Sequence, residues 1–286
     1  MNIEEIIRQA LEEDIGNGDH TSLATIPGEA TGKSKLLIKE EGILAGVDIA
    51  RQVYYLLDPS LKFDILIADG SAVMPGNIAF YISGSSRSIL TGERLALNFM
   101  QRMSGIATAT SQLVKLIEGT GAKILDTRKT TPLLRELEKT AVRLGGGENH
   151  RMGLYDMIMI KDNHVDFAGG IRQAIEAVNA YLSKMKPEEL KIKNEKLKIE
   201  IEVRNFRELE EVLSVGRVDR VMLDNFTAPD LVKAVKMIGG RFETEASGGI
   251  NAHNIREYAE TGVDFISVGA LTHHIKSLDM SLKAVL

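Results

Sequence analysis

From about residue 119 onward the chain alternates between two patterns, and this alternation constrains its fold more than any other feature. Short apolar, β-branched segments recur at Ala122–Leu125, Asp156–Ile160, Leu197–Val203, Val218–Leu223, Phe242–Ala246 and Val263–Val268. Between them run amphipathic stretches of helical period, at Leu133–Leu144, Gly170–Leu182, Phe206–Leu213, Ala228–Ile238 and Asn251–Glu260. A strand, a helix and a second strand pack as a parallel pair joined by a right-handed crossover, so the repeat demands a parallel sheet. Six such strands fall short of the eight of a closed (β/α) barrel. The expected architecture is therefore an incomplete α/β barrel.

The first third is of another kind, a mixed α and β unit. A helix over 2–13 ends in the turn Gly16-Asn17-Gly18-Asp19. Strands are expected at Ser34–Lys39, Lys62–Ile67 and Asn77–Ser83, and a helix at Val47–Leu57, with Asp69-Gly70 and Pro75-Gly76 as turn signals. A long helix is expected from Thr91 to Glu118, its Met100 and Met103 reading as core filler. Arg94 would lie in its first turn, where a cation opposes the helix dipole unless an anion is near. The acidic turn from Asp14 to Thr25 fails as a calcium loop, because Gly16 takes a ligand position and Thr25 replaces the bidentate Glu. Ser183 to Lys198 carries lysines at 184, 186, 191, 193, 196 and 198, interleaved with Glu188, Glu189 and Glu195 and no aromatic residue. It reads as a solvated insertion and not as a nucleic-acid patch.

Composition excludes several chemistries. With 35 basic and 40 acidic residues the formal net charge is −5, which argues against nucleic acid as a partner and gives weight to local basic clusters. The 286 residues include no cysteine, so disulfides, thiolate nucleophiles and Cys-zinc sites are ruled out. No apolar run approaches a membrane span. The acidic amphipathic start, Met1 to Asp14, lacks the basic and apolar parts of a signal peptide, so a cytoplasmic location is expected. The GxxxxGK[ST], GxGxxG, HExxH and GxSxG patterns are all missing.

Charge is concentrated where strands are expected to end. Asp126-Thr127-Arg128-Lys129-Thr130-Thr131-Pro132 places two adjacent cations between an apolar segment and a Pro-initiated helix, a junction suited to holding an anion. Gly145-Gly146-Gly147-Glu148-Asn149-His150-Arg151 and Lys161-Asp162-Asn163-His164 follow. Active sites of parallel barrels form at the carboxyl ends of the strands. Those ends read Thr127-Arg128-Lys129, Lys161, Glu202, Asp224-Asn225, Ser247-Gly248-Gly249 and Gly269-Ala270. His150 and Arg151 suit a planar carboxylate, the glycines let backbone N–H groups approach a phosphate, and Glu202 with Asp224 suit Mg²⁺, bound directly or through its waters. His273 and His274 carry two readings, one of them facing a phosphate or both structural. The rim suits a polyanionic, phosphorylated substrate assisted by a hard divalent metal.

These motifs, together with Leu11 to Asp19, Gly92 to Asn98, Ser104 to Thr108, Leu223 to Phe226 and Val268 to His273, resemble the quinolinate phosphoribosyltransferase family over nearly the whole chain. The resemblance implies an N-terminal α/β sandwich domain over 1–105, an incomplete barrel over 106–275, and a C-terminal helix over 276–286 packing on the N-terminal domain. It implies a pentosyltransferase of de novo NAD biosynthesis, which joins quinolinate to phosphoribosyl pyrophosphate with loss of CO₂, using Mg²⁺. Family members are dimers or larger with shared active sites, so Arg94 would serve the neighbouring subunit. Thr127, Arg128, Lys129, His150, Arg151 and Lys161 would bind the acceptor's carboxylates and nearby phosphate oxygens. Glu202 and Asp224 would organise the metal and the ribose hydroxyls, while Ser247, Gly248, Gly249, Val268, Gly269, Ala270 and His273 would cradle the 5′-phosphate. Leu133 and Thr140 depart from the family, where a Gly and an aromatic are usual. Two other readings stay open here: a paralogue with another acceptor, and a non-catalytic sensor of phosphorylated metabolites.

Overall fold

The computed structural model describes residues 2–185, 191–192 and 195–285. It contains two compact units, one of Met1–Gln112, Thr130–Gly147 and Leu271–Leu286, the other of Leu113–Lys129 and Glu148–Ala270.

The first unit opens with helix α1 (Ile3–Ile15), which buries Ile6, Ile7 and Leu11. Asn2 starts it by a capping box: its side chain accepts from the Glu5 N–H at 2.9 Å, and Glu5 accepts from the Asn2 N–H at 2.7 Å. Asp19 caps a short second helix, α2 (His20–Thr25), through the Ser22 N–H at 3.0 Å. The residues that mimic a calcium loop are thus a helix cap. Then come β1 (Thr31–Ile38), β2 (Gly42–Ile43), α3 (Val47–Leu57), β3 (Lys62–Ile65), β4 (Ala72–Val73), β5 (Ile78–Ser85) and α4 (Ser86–Leu116). α4 starts at Ser86 and not at Thr91, so Arg94 stands beyond the first turn and its side chain is exposed. The dipole conflict expected there does not exist.

The C-terminal helix expected over 276–286 is also corrected. Met280–Ala284 forms a strand that pairs antiparallel with β1, from Ser34 opposite Ala284 to Ile38 opposite Met280. The reason is local: Met280 and Leu282 are buried while Ser281 and Lys283, which alternate with them, are not, a period of two that a helix cannot satisfy. This strand completes a four-stranded antiparallel sheet in which β1 and β5 are central.

The second unit holds six parallel strands: β6 (Lys123–Leu125), β7 (Ile158–Ile160), β10 (Ile199–Val203), β11 (Arg220–Asp224), β12 (Glu243–Ser247) and β13 (Phe265–Ser267). Their order is β6-β13-β12-β11-β10-β7. The last strand in sequence pairs with the first, and the barrel stays open between β6 and β7, as the strand count implied. Between β6 and β7 the chain leaves this unit: residues 130–147, which include α5 (Arg135–Leu144), group with the first unit. α6 (Asp162–Ala168), α7 (Ile171–Leu182), α8 (Phe206–Val215), α9 (Ala228–Ile238) and α10 (Ile255–Ala259) complete the crossovers, and α6 was not foreseen. Two short strands, β8 (Lys191–Ile192) and β9 (Glu195–Lys196), pair with each other. Much of the lysine-rich stretch, Lys186, Glu188, Glu189 and Lys193 included, lies outside the described residues. A final turn, α11 (Ala270–His273), leads to the last strand, β14 (Met280–Ala284).

α5 also departs from expectation. The helix begins at Arg135, because Leu133 sits at φ +68°, a left-handed conformation that ends any helix started at Pro132.

Candidate active site

The alternation Ile199-Glu200-Ile201-Glu202-Val203 puts two glutamates on one face of β10. Glu245 and Ser247 share a face of β12, as do Arg220, Met222 and Asp224 on β11. These faces meet at a cavity of about 500 Å³ at the carboxyl ends of the strands. Its lining includes Thr127, Arg128, Lys129, His150, Arg151, Lys161, Glu202, Asp224 and Ser247, all expected from the sequence. It also includes Met159, Asp162, Met222, Glu245 and Ser267, which were not.

The basic wall is built for an anion. Arg151 is buried, and its guanidinium is shifted below its ordinary range by burial and then by the neighbouring Arg128. Two cations that repel each other in this way favour an anion between or beside them. The Nε of Arg128 is buried with no hydrogen-bond partner, a donor left available for a ligand. Lys161 stands at the start of α6, its own N–H bonded to His164 Nδ1 at 2.9 Å. Asp126, fully buried, holds the next segment in place: it accepts from the His150 N–H at 2.9 Å and from Asn149 Nδ2 at 2.5 Å.

The opposite wall is acidic. The Glu202 carboxyl is pushed up to about 7, first by burial, then by Asp224 and Asp162, against the pull of Lys161 and Arg204. Glu202 and Asp224, two carboxylates at the carboxyl ends of adjacent strands, suit a hard divalent cation or its waters. Below lies a second pair. Glu200 and Glu245 are completely buried, and both are raised above the usual carboxylate range, chiefly by burial. Glu245 reaches about 8, with Glu200 as the next cause. His150 Nε2 lies 2.8 Å from Glu200 and 3.6 Å from Glu245.

Several expected site residues stand outside the cavity lining. Gly248 has φ +98°, and a Cβ there would meet Asn225 Oδ1 at 2.2 Å, so packing against Asn225 alone requires the glycine. Gly249, Gly269 and Ala270 are not among the lining residues. Val268 is buried and its N–H bonds the Leu125 carbonyl at 2.9 Å, so it offers a phosphate no donor. His273 belongs to the first unit, where its Nδ1 contacts that of His274, and Arg94 belongs there too.

Comparison with known proteins agrees with this geometry. Residues 19–104 match the model of the quinolinate phosphoribosyl transferase N-terminal domain, and residues 106–283 that of its C-terminal domain. A chloroplastic nicotinate-nucleotide pyrophosphorylase (carboxylating) of Arabidopsis thaliana is 45% identical over 297 residues, which cover 99% of this chain and 82% of the relative. A probable nicotinate-nucleotide pyrophosphorylase (carboxylating) of Bacillus subtilis is 40% identical, covering 100% of this chain and 94% of the relative. Among solved structures, the nicotinate-nucleotide pyrophosphorylase of Francisella tularensis superposes with a TM-score of 0.90 at 41% identity, covering 99% of this chain and 96% of that one. An open six-stranded barrel with a dibasic, polyacidic mouth, matched on both sides by the same two domain models, places this chain in the quinolinate phosphoribosyltransferase family.

Proposed function

We propose that this chain transfers the phosphoribosyl group of phosphoribosyl pyrophosphate to the ring nitrogen of quinolinate and releases pyrophosphate and CO₂, as its relatives are named for doing. The observation that carries the reading is that Arg128, with an unpartnered Nε, and Arg151 line the same cavity as Glu202 and Asp224.

Arg128, Lys129, Arg151 and Lys161 then take the acceptor's two carboxylates and neighbouring phosphate oxygens, with guanidinium forks matching planar carboxylates, and His150, whose ring nitrogens are engaged by Glu200 and the Arg151 N–H, acts by holding Arg151. Thr127 flanks them, and Ser247, with Gly248, Gly249, Gly269 and Ala270 beyond it, faces the 5′-phosphate of the donor. Glu202 and Asp224 would hold Mg²⁺, directly or through its waters, and the ion would shield the charge of the departing diphosphate. The ring nitrogen gives its electron pair to C1′ as the C1′–O bond breaks and pyrophosphate leaves with that bonding pair. The C2–carboxylate bond then breaks, its electrons remain at C2 beside the positive nitrogen, and a proton takes the place of CO₂. The residues of this chain contribute position and charge and no covalent nucleophile, which fits the absence of cysteine and of any nucleophile motif. Arg94, exposed on the first unit, is assigned to the site of a second copy, making the working form at least a dimer. A cytoplasmic location belongs to the same proposal, and fractionation of cells carrying the native protein tests it. Among the described residues no helix is long and apolar enough to cross a membrane.

A pair of titrations tests the acceptor assignment. Nicotinate lacks one of quinolinate's carboxylates, and losing one charge-assisted contact costs about 1.5–3 kcal/mol, or roughly 10- to 150-fold in affinity. Equal affinity for the two acids contradicts a double-carboxylate pocket.

A further inference from the structure

Parallel barrels ordinarily fill their interior with Val, Ile and Leu. At the floor of this cavity and beneath it lie instead Glu245, Glu200 and Arg220, and the transfer chemistry above uses none of them. Glu200 and Glu245 have no exposed side-chain area, and Arg220 is 7% exposed. Arg220 Nη1 donates to Glu245 Oε2 at 3.1 Å, its Nε and Nη2 donate to Glu243 at 3.1 and 3.0 Å, and its guanidinium lies 4.0 Å over the Phe265 ring. Side-chain oxygens of Glu200 and Glu245 and a ring nitrogen of His150 all lie within 4.8 Å of one another. A buried ionic cluster of this kind contributes little stability that an apolar filling would not, but it does fix orientation.

What it orients is His150. The Arg151 N–H donates to His150 Nδ1 at 2.7 Å, so Nδ1 carries a lone pair and the ring proton is on Nε2. Nε2 lies 2.8 Å from Glu200 Oε2, which accepts that proton in a hydrogen bond. Both ring nitrogens and the His150 backbone N–H, held by Asp126, are thereby assigned.

We propose that Glu200, braced by Glu245 and Arg220, is a positioning residue that locks the His150 imidazole as its Nε2–H tautomer and, through the Arg151 N–H on Nδ1, sets how Arg151 meets the acceptor's carboxylates. This rests on the reading of Arg151 as an acceptor-binding residue. Glu200 acts on the acceptor half of the site only, so its loss separates the two substrates.

Two measurements on the full chain test it. ¹⁵N-correlated spectra of the histidine rings, assigned with His150→Gln among the six histidines, report the tautomer of His150 directly. Steady-state kinetics of Glu200→Gln and Glu200→Leu report KM for quinolinate and for phosphoribosyl pyrophosphate separately. The expected result is an unprotonated Nδ1 in the wild-type protein, retained in Glu200→Gln and lost in Glu200→Leu. With that loss, KM for quinolinate rises about tenfold to a hundredfold, while KM for the donor stays within about threefold. A wild-type His150 protonated on Nδ1 overturns the proposal, and that spectrum needs no variant to fold. Glu200→Leu raising both KM values equally, or neither, overturns it as well. If the tautomer is as expected but Arg151→Met leaves KM for quinolinate unchanged, the acceptor-binding reading fails and the proposal falls with it.

Discussion

Replacing Arg128 by Met should make the ligand-free protein more stable and the acceptor bind less well. Arg128 Nε is buried and unpartnered, and an orphaned donor of this kind costs about 1–3 kcal/mol in the ligand-free state. Its charge also presses on Arg151, which burial already disfavours. Methionine keeps most of the aliphatic length without donor or charge, so a gain of about 1–2 kcal/mol is expected once some lost packing is allowed for. The same change removes a charge-assisted contact to a carboxylate of about 1.5–3 kcal/mol, a rise in the quinolinate dissociation constant of roughly 10- to 150-fold. Opposite signs from one substitution mark a residue retained for binding at the expense of folding. Urea unfolding without ligand and calorimetric titration with quinolinate measure the two effects. A ligand-free protein destabilised by more than about 1 kcal/mol, combined with unchanged affinity, would refute the reasoning.

Three further outcomes are expected. Glu202, with its carboxyl raised from 4.5 to about 7, is protonated below that pH and loses its hold on a cation there. KM for phosphoribosyl pyrophosphate at fixed Mg²⁺ should therefore fall as pH rises through about 7, and a donor KM that is flat across that range refutes the assignment. Because the folded value is the higher one, the stability tied to this group is present at acid pH and is lost as pH rises through about 7. In the first unit, buried Glu138 accepts from Arg102 Nε at 2.8 Å and from the Thr131 N–H at 3.2 Å. Arg102→Met alone should cost about 3–5 kcal/mol, and Arg102→Met with Glu138→Met much less; additive losses in the double-mutant cycle would mean the pair is not coupled. Leu133 at φ +68° is 65% exposed, so Leu133→Gly should relieve left-handed strain with little burial lost, and raise stability by about 0.5–1 kcal/mol in chemical unfolding. A net loss would mean the side chain packs more than its exposure suggests.

Much of this was legible in the sequence because the barrel repeats one rule. Each strand carries β-branched residues and each carboxyl end a charge or glycines, so Arg128, Lys161, Glu202 and Asp224 could be placed on one rim from their positions alone. Glu200 and Glu245 were missed because only strand ends were read. Their signal was a pair of glutamates two residues apart in each of Ile199–Val203 and Glu243–Ser247, where parallel strands normally run apolar. The C-terminal strand was missed because its pattern spans only five residues and its partner, β1, lies more than two hundred residues earlier. Local pattern cannot report a pairing that distant. The departure at Leu133 was visible as a residue where the family carries glycine, yet its cause, a positive φ, is a property of the backbone alone.

The central claim is that the cavity carries out a carboxylate-dependent phosphoribosyl transfer. The most direct measurement is simultaneous release of pyrophosphate and CO₂ from phosphoribosyl pyrophosphate with Mg²⁺, using quinolinate or nicotinate as acceptor. Equal release of both products with quinolinate, and neither with nicotinate, is the predicted result. Pyrophosphate release with nicotinate but not quinolinate, or no turnover with either, would contradict it.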